Sequence, residues 1–309
     1  MQWLTRVPNF NFVKWRRVAM IGSGLATLLA IVVIVYPGLN YGVDFTGGVI
    51  VEVEYDGPAE LDAIRARLAA ADLGSPQVQN LGSSSRVQIR LPPDDTGTVT
   101  AVQERVLAVL REHDAGVRFR GSASVGSQVG DDLFENAGLA LLFALMLVFV
   151  YVMLRFRWKL AVGAIVATLH DLLVTTGIFA VAGWQFDLTV LGSILAVLGY
   201  SLNDTIVVYD RVRDNFRLMR RGSAEAIVNA SVNQTLARTL VTGVTSLLVL
   251  FALMFLGGEA LWGFAVALII GIVVGTYSSI YVASSMALAL EVSPSDFHVT
   301  KQERVDELP

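Results

Sequence analysis

The 309-residue sequence has no cysteine. That excludes disulfides, thiol nucleophiles and thiolate metal sites, and it suits either side of a membrane. Charge is scarce as well. Asp, Glu, Lys and Arg make up 16% of the chain, against about a quarter in an ordinary soluble domain. Hydrophobic residues reach 54% and mean hydropathy is +0.60, a balance that points to lipid. The net charge of −4 and the lack of a basic domain argue against a nucleic-acid partner. No nucleophile–base–orienter set and no phosphate loop is present, so an enzyme is the least supported class. No cofactor or metal site is expected.

The apolar residues are gathered into runs at about 18–36, 138–154, 160–182, 188–209, 239–257 and 260–290. Each is long enough to cross ~30 Å of hydrocarbon at ~1.5 Å per residue, so six spans are predicted. Lys14, Arg16 and Arg17 precede the first run, as in a signal peptide. However, Tyr36-Pro37-Gly38 follows it instead of a small-residue cleavage site, and it reads as an uncleaved span. Arg155, Arg157 and Lys159 join spans two and three, and Arg211, Arg213, Arg217, Arg220 and Arg221 follow span four, whereas loops 183–187 and 258–259 hold no Lys or Arg. By the positive-inside rule both termini are cytoplasmic. The predicted division is a cytoplasmic N-terminus at 1–17, span one at 18–36, an extracytoplasmic domain at 37–137, spans two to six at 138–290, and a cytoplasmic, disordered tail at 291–309.

The outer segment carries its own fold signals. Val49, Val51 and Val53 alternate with Ile50, Glu52 and Glu54, a strand with one buried face. Helical patterns at 59–71 and 96–113 and strands at 77–81, 86–91 and 116–124, with a hinge at Gly82-Ser83-Ser84, give the order β-α-β-β-α-β. The expected fold is therefore a polytopic α-helical membrane protein of six transmembrane helices with a small α+β, ferredoxin-like extracytoplasmic domain between helices 1 and 2. His113 reads as a solvated helix-end residue, and the domain as a binding or docking module. Two glycine-rich flanks, Gly42-Val43-Asp44-Phe45-Thr46-Gly47-Gly48 and Gly121 to Gly130, join it to the bilayer as flexible connectors or as hinges.

Ionisable groups within spans are rare, and such groups face protein or a wet cavity. Asp171 and His170 lie near the middle of span three, Asp204 within span four, and Arg238 opens span five. Ser231, Thr235, Arg238, Thr242 and Thr245 share one helical face that can hold water. Asp204 is thus a candidate to take up and release a proton, with Arg238 modulating it. The competing readings are a static Asp–Arg pair and an Arg238 that snorkels to water. Asp171 either assists the relay or pairs with His170, and His170 reads as a packing residue rather than a metal ligand. Asp187 and Glu259 read as ordinary loop residues. Gly271 and Gly275 in span six form a small-xxx-small pair suited to close helix approach.

Four segments together resemble one family. The Gly42–Gly48 stretch resembles the glycine signature of the SecD/SecF family. Gly199-Tyr200-Ser201-Leu202-Asn203-Asp204-Thr205-Ile206-Val207-Val208-Tyr209-Asp210-Arg211, Asn233-Gln234-Thr235-Leu236-Ala237-Arg238-Thr239 and Gly275-Thr276-Tyr277-Ser278-Ser279 are similar to its span-four, span-five and span-six motifs. The small outer segment fits the SecF side, because the SecD side carries a larger one. The resemblance implies a resistance-nodulation-division type bundle and a SecD partner. It also implies work with the SecYEG channel and SecA on exported unfolded polypeptides among membrane lipids, driven by the proton-motive force with no cofactor. It makes Asp204 and Arg238 the proton-relay candidates, with support from Asn203, Thr242, Asp171 and His170. Gly42, Asp44, Phe45, Thr46, Gly47 and Gly48 become the hinge motif. The alternatives are a proton-coupled small-molecule or lipid exporter half, and a scaffold subunit that moves no protons.

Overall fold

The computed structural model describes residues 7–73, 76–92, 99–219 and 222–297. A 3-10 turn at Val13–Trp15 leads into α1 (Arg16–Val35), the first membrane helix. The chain then forms β1 (Asn40–Tyr41), α2 (Val43–Thr46), β2 (Gly48–Glu54), α3 (Leu61–Ala70), β3 (Gln77–Leu81), β4 (Ser83–Leu91), α4 (Val99–His113) and β5 (Arg118–Val125). It re-enters the bundle through α5 (Ser127–Arg155), α6 (Trp158–Ala182), β6 (Gln185–Phe186), α7 (Leu188–Leu218), α8 (Ala224–Leu256) and α9 (Glu259–Ser278). A five-residue π turn at Ser279–Ala283 carries α9 into α10 (Ser284–Ala289). Six helical stretches are long and apolar enough to cross a membrane, as their hydropathy predicts, so this is a multi-pass membrane protein.

Between α1 and α5 lies the α+β domain. Its sheet has the order β3-β4-β2-β5, all antiparallel, the ferredoxin-like arrangement that the element order predicts. Alternation puts Val49, Val51 and Val53 inside, where they meet Ile64 and Leu68 of α3 and Val102, Val106 and Leu110 of α4. The hinge expected at Gly82-Ser83-Ser84 is tighter than that. Gly82 alone turns, at φ 69°, and Ser83 and Ser84 already belong to β4. The start of the 96–113 helix lies outside the described residues. His113 is exposed at the end of α4, as expected.

The glycine flanks are ordered rather than loose. Gly121 to Val125 pair with β2, and α5 begins at Ser127, well before the apolar run at 138. A Cβ on Gly130 would sit 2.7 Å from the Gly47 nitrogen, so glycine here permits two backbones to touch.

In the bundle, α6 and α7 form the centre, with half of their most apolar windows buried, whereas α1 and α5 bury only 11% and 6% of theirs. Helix α9 packs closely on α7. A Cβ on Gly275 would come within 3.0 Å of Ser201 Cβ, and one on Gly271 would run into the Val197 side chain. The small-xxx-small pair therefore serves packing inside this chain. Helices α7 and α8 extend past the apolar runs as a hairpin, and Ser223 caps α8 by accepting from the Ala226 N–H at 3.2 Å. Arg238 therefore lies inside α8, directly before its apolar run.

The end of the bundle away from the domain is pinned by polar contacts. Arg155 donates to both oxygens of Asp210 at 2.7 Å. Asn229 and Asn233 bond the backbone of Phe10 and Phe12. The start of the tail, expected to be disordered, is folded as far as residue 297. Val292 and Phe297 are buried, Phe297 stacks on Phe216 at 5.3 Å, and Lys159 donates to Asp296 at 2.9 Å. The mixed charge of the tail hid the two apolar anchors.

Candidate functional site

Asp171 is the polar hub of the bundle. It is fully buried on α6, and its Oδ2 accepts hydrogen bonds from Ser201 of α7 and, at 2.7 Å, from Ser278 of α9. Its Oδ1 lies 2.9 Å from His170 Nδ1. The pairing of His170 with Asp171 raised by the sequence is therefore present, and two serines from the span-four and span-six motifs complete it. A carboxylate in hydrocarbon needs such donors. Gly275 brings α9 near enough for Ser278 to supply one.

One helical turn further along α7, Asp204 is the opposite case. It is only 3% exposed, yet its Oδ2 is buried without a hydrogen-bond partner among the described residues. Tyr200 OH, Thr205 Oγ1 and Thr239 Oγ1 are likewise buried and unpartnered. Tyr200 and Asp204 sit four residues apart on α7, as Thr239 and Gly243 do on α8, so each pair shares a face. The two faces come together: a Cβ on Gly243 would lie 3.7 Å from Tyr200 OH and 3.8 Å from Thr276 Oγ1 of α9. Each unsatisfied buried group costs ~1–3 kcal/mol, so each of these calls for a partner that the protein groups described do not supply.

Arg238 makes no ion pair with Asp204 within 4.0 Å. It is exposed on the side of α8, as are Gln234 and, on α7, Asn203. The expected water-lined face of span five divides along its length. Ser231 and Thr235 are buried, Arg238 and Thr245 are exposed, and Thr242 is half-buried. Their hydroxyls return to their own helix: Ser231 to Ile227 O, Thr235 to Ser231 O, Thr242 to Arg238 O and Thr245 to Val241 O, at 2.7–3.0 Å. Back-bonding of this kind satisfies a hydroxyl without water, which periodicity alone does not reveal.

The Gly42–Gly48 motif joins the domain to the first turn of α7. Strand β1 pairs in parallel with β6, and the Gly42 N–H donates to Phe186 O at 2.8 Å. Gly42 has no room for a side chain, since a Cβ would meet Asp187 Cβ at 2.9 Å. Asp44 Oδ2 accepts from the Leu188 N–H at 3.2 Å, while Asp187 caps the same helix through the Val190 N–H at 2.9 Å. Phe45 stacks on Phe186, and Thr46 donates to Gly42 O. Gly47 and Gly48 take φ of 66° and 122°, which a side chain would strain. Arg90 of β4 reaches across the joint to Tyr41 O at 2.5 Å and is held by its β3 neighbour Gln77, to whose Oε1 it donates at 2.9 Å. Burial lowers its guanidinium below the ordinary value, and the Asp187 and Asp44 carboxylates oppose that. Sequence reading missed Arg90 and dismissed Asp187, although an Asp just before an apolar helix is a capping signal.

Two family models match the chain. One, described as protein export membrane protein SecD/SecF, C-terminal, covers residues 105–293, and the SecD/SecF GG motif covers residues 33–59. The chain belongs to the SecD/SecF family. Among its relatives, protein translocase subunit SecF of Vibrio alginolyticus is 42% identical over 313 residues, spanning 100% of this chain and 99% of that one. The SecF subunit of Escherichia coli O157:H7 is 43% identical over 283 residues, or 91% and 88% of the two chains. The crystal structure of SecDF from Thermus thermophilus, a translocon-associated membrane protein, superposes with a TM-score of 0.82 at 36% identity. It covers 93% of this chain and 39% of that longer one. Within the family frame, the GG motif is the joint built on Gly42, Asp44 and the Gly47-Gly48 pair, and the C-terminal region holds both intramembrane carboxylates.

Proposed function

We propose that this chain is the SecF-type half of a protein-export complex of the bacterial inner membrane, and that it uses the proton-motive force to assist late translocation. Asp204 is the group that loads and releases the proton. The observation that carries this reading is a buried carboxylate with an unpartnered oxygen, on a helix face that it shares with the unpartnered Tyr200 hydroxyl. A carboxylate already saturated with donors has less reason to change protonation, and Asp171 is such a group. Arg238, near Asp204 but unpaired, is placed to bias its charge state as the helices shift. Exposed Asn203 lies within the apolar run of span four, where lipid would leave it unsatisfied, which supports a SecD-type bundle packed against this side. SecYEG with SecA would then supply the exported polypeptide. Both termini are cytoplasmic on the charge pattern, so the α+β domain faces outward, where the emerging chain is.

The test is proton-motive-force-dependent translocation into inverted membrane vesicles, comparing the wild type with Asp204→Asn at matched assembly. The substitution keeps shape and hydrogen bonding and removes the titratable proton. Loss of the force-dependent increment supports the relay. Unchanged translocation refutes it and leaves a scaffold role.

A further inference from the structure

A cavity of about 380 Å³ opens between α1, α6 and α9 at mid-span, lined by Gly22, Ala26, His170, Val174, Val273 and Tyr277 among others. It is apolar apart from the imidazole and the hydroxyls of Ser23 and Tyr277. Those two hydroxyls bond each other at 3.0 Å. His170 commits Nδ1 to Asp171. No hydrogen bond to its Nε2 is found among the described residues, and the ring lines the cavity. A histidine kept only for packing would have both nitrogens satisfied or both enclosed.

We infer that His170 is a second proton-binding group of the bundle, with Asp171 as the positioning residue that turns Nε2 toward this cavity. Asp171 holds the proton on Nδ1, as a carboxylate behind an imidazole does in catalytic and metal sites. The Nε2 lone pair accepts a proton from water entering the cavity. The dyad then passes from a net charge of −1 to an ion pair of net zero, with Nδ1–H still on Asp171. Among the described groups on the neighbouring elements, the charged one nearest in sequence to the dyad's partners is Asp204. Helix α1 contributes Ser23, α9 contributes Tyr277 and Ser278, and α7 contributes Ser201, with Tyr200 and Asp204 on its adjoining turns. Ser201, which donates to Asp171 from α7, lies three residues before Asp204 on the same helix, so one turn of α7 separates the dyad's donor from the relay carboxylate. The use of this proton in export rests on the reading above, but its binding does not.

The experiment is nitrogen NMR of the full chain in lipid nanodiscs with ¹⁵N-labelled histidine. The sequence has three histidines, and His170→Gln assigns the signal. Expected at high pH is a single neutral tautomer with the proton on Nδ1. Acidification should convert it to the doubly protonated ring, alongside exposed His113 as internal control. Asp171→Ala, which removes the acceptor, should give a mixture of both neutral tautomers. A proton on Nε2 in the wild type, or a ring that stays neutral while His113 converts, overturns the proposal, and neither result needs the variant to fold. An intact His170 titration with Asp204→Asn silent in translocation would instead remove only the export reading.

Discussion

Replacing Asp44 with alanine tests whether the α+β domain grips the span that carries Asp204. Two effects are lost at once. The Leu188 N–H, at the first turn of α7, loses its acceptor, and a cap of this kind is worth ~0.5–2 kcal/mol. A negative charge also leaves the positive end of a long helix, worth ~0.3–1 kcal/mol. Together they lower the free energy of opening the joint by ~1–3 kcal/mol, because Asp187 still caps Val190 and nothing else supports Leu188. With tenfold per ~1.4 kcal/mol, amide exchange of the segments around 40–47 and 185–190 should quicken by about 5- to 150-fold. Asp44→Asn keeps an acceptor and loses only the charge, so its increase should be about 2- to 5-fold. Hydrogen–deuterium exchange by mass spectrometry in nanodiscs reads both. Exchange in Asp44→Ala within twofold of wild type would show that Asp44 does not hold the joint.

Gly271→Ala drives a methyl into Val197 and should destabilise the α7–α9 packing by ~1–3 kcal/mol. Val197→Ala in the same chain should restore the loss, and a single variant that melts with wild type in detergent would contradict the close approach. Docking of the tail depends on Asp296. Partial burial raises its carboxyl, but the bonds from Lys159 and Ser293 outweigh this and hold it below the ordinary value. Its stabilisation is thus present in full above the unfolded value of about 3.9 and is lost as pH falls through the lower folded value. Protease cleavage between 291 and 297 should rise only in that acid range, and in Lys159→Met should already be raised at neutral pH.

Hydropathy was sufficient for the six spans because lipid imposes one simple demand, an apolar run of fixed length. Period-two and helical patterning placed all six elements of the α+β domain within a few residues, because its sheet has one wet face. Less legible was anything that depends on who satisfies whom. Asp171 and Asp204 look alike in sequence, each a lone carboxylate in a span. Only packing shows that Ser201 and Ser278 saturate the first and leave the second bare. The span-five hydroxyls suggested water until their own carbonyls proved to be the acceptors. Arg90 gave no sign at all, since an arginine in an outer strand is ordinary until the strand is seen to lie against Tyr41 and Asp187.

Helix α5 has a mechanical consequence. It is continuous from Ser127 to Arg155, roughly 43 Å at ~1.5 Å per residue, and little of it is buried in this chain. One end is pinned where Arg155 forks onto Asp210, and the other rises straight out of β5 and touches the Gly47 backbone through Gly130. Such a rod is a crank arm. A rotation of about 10° about the pinned end sweeps its far end by ~7 Å over that length. A small tilt at the foot of α7 would thereby be enlarged into a displacement comparable to the width of a β-strand pair at the level of the α+β domain.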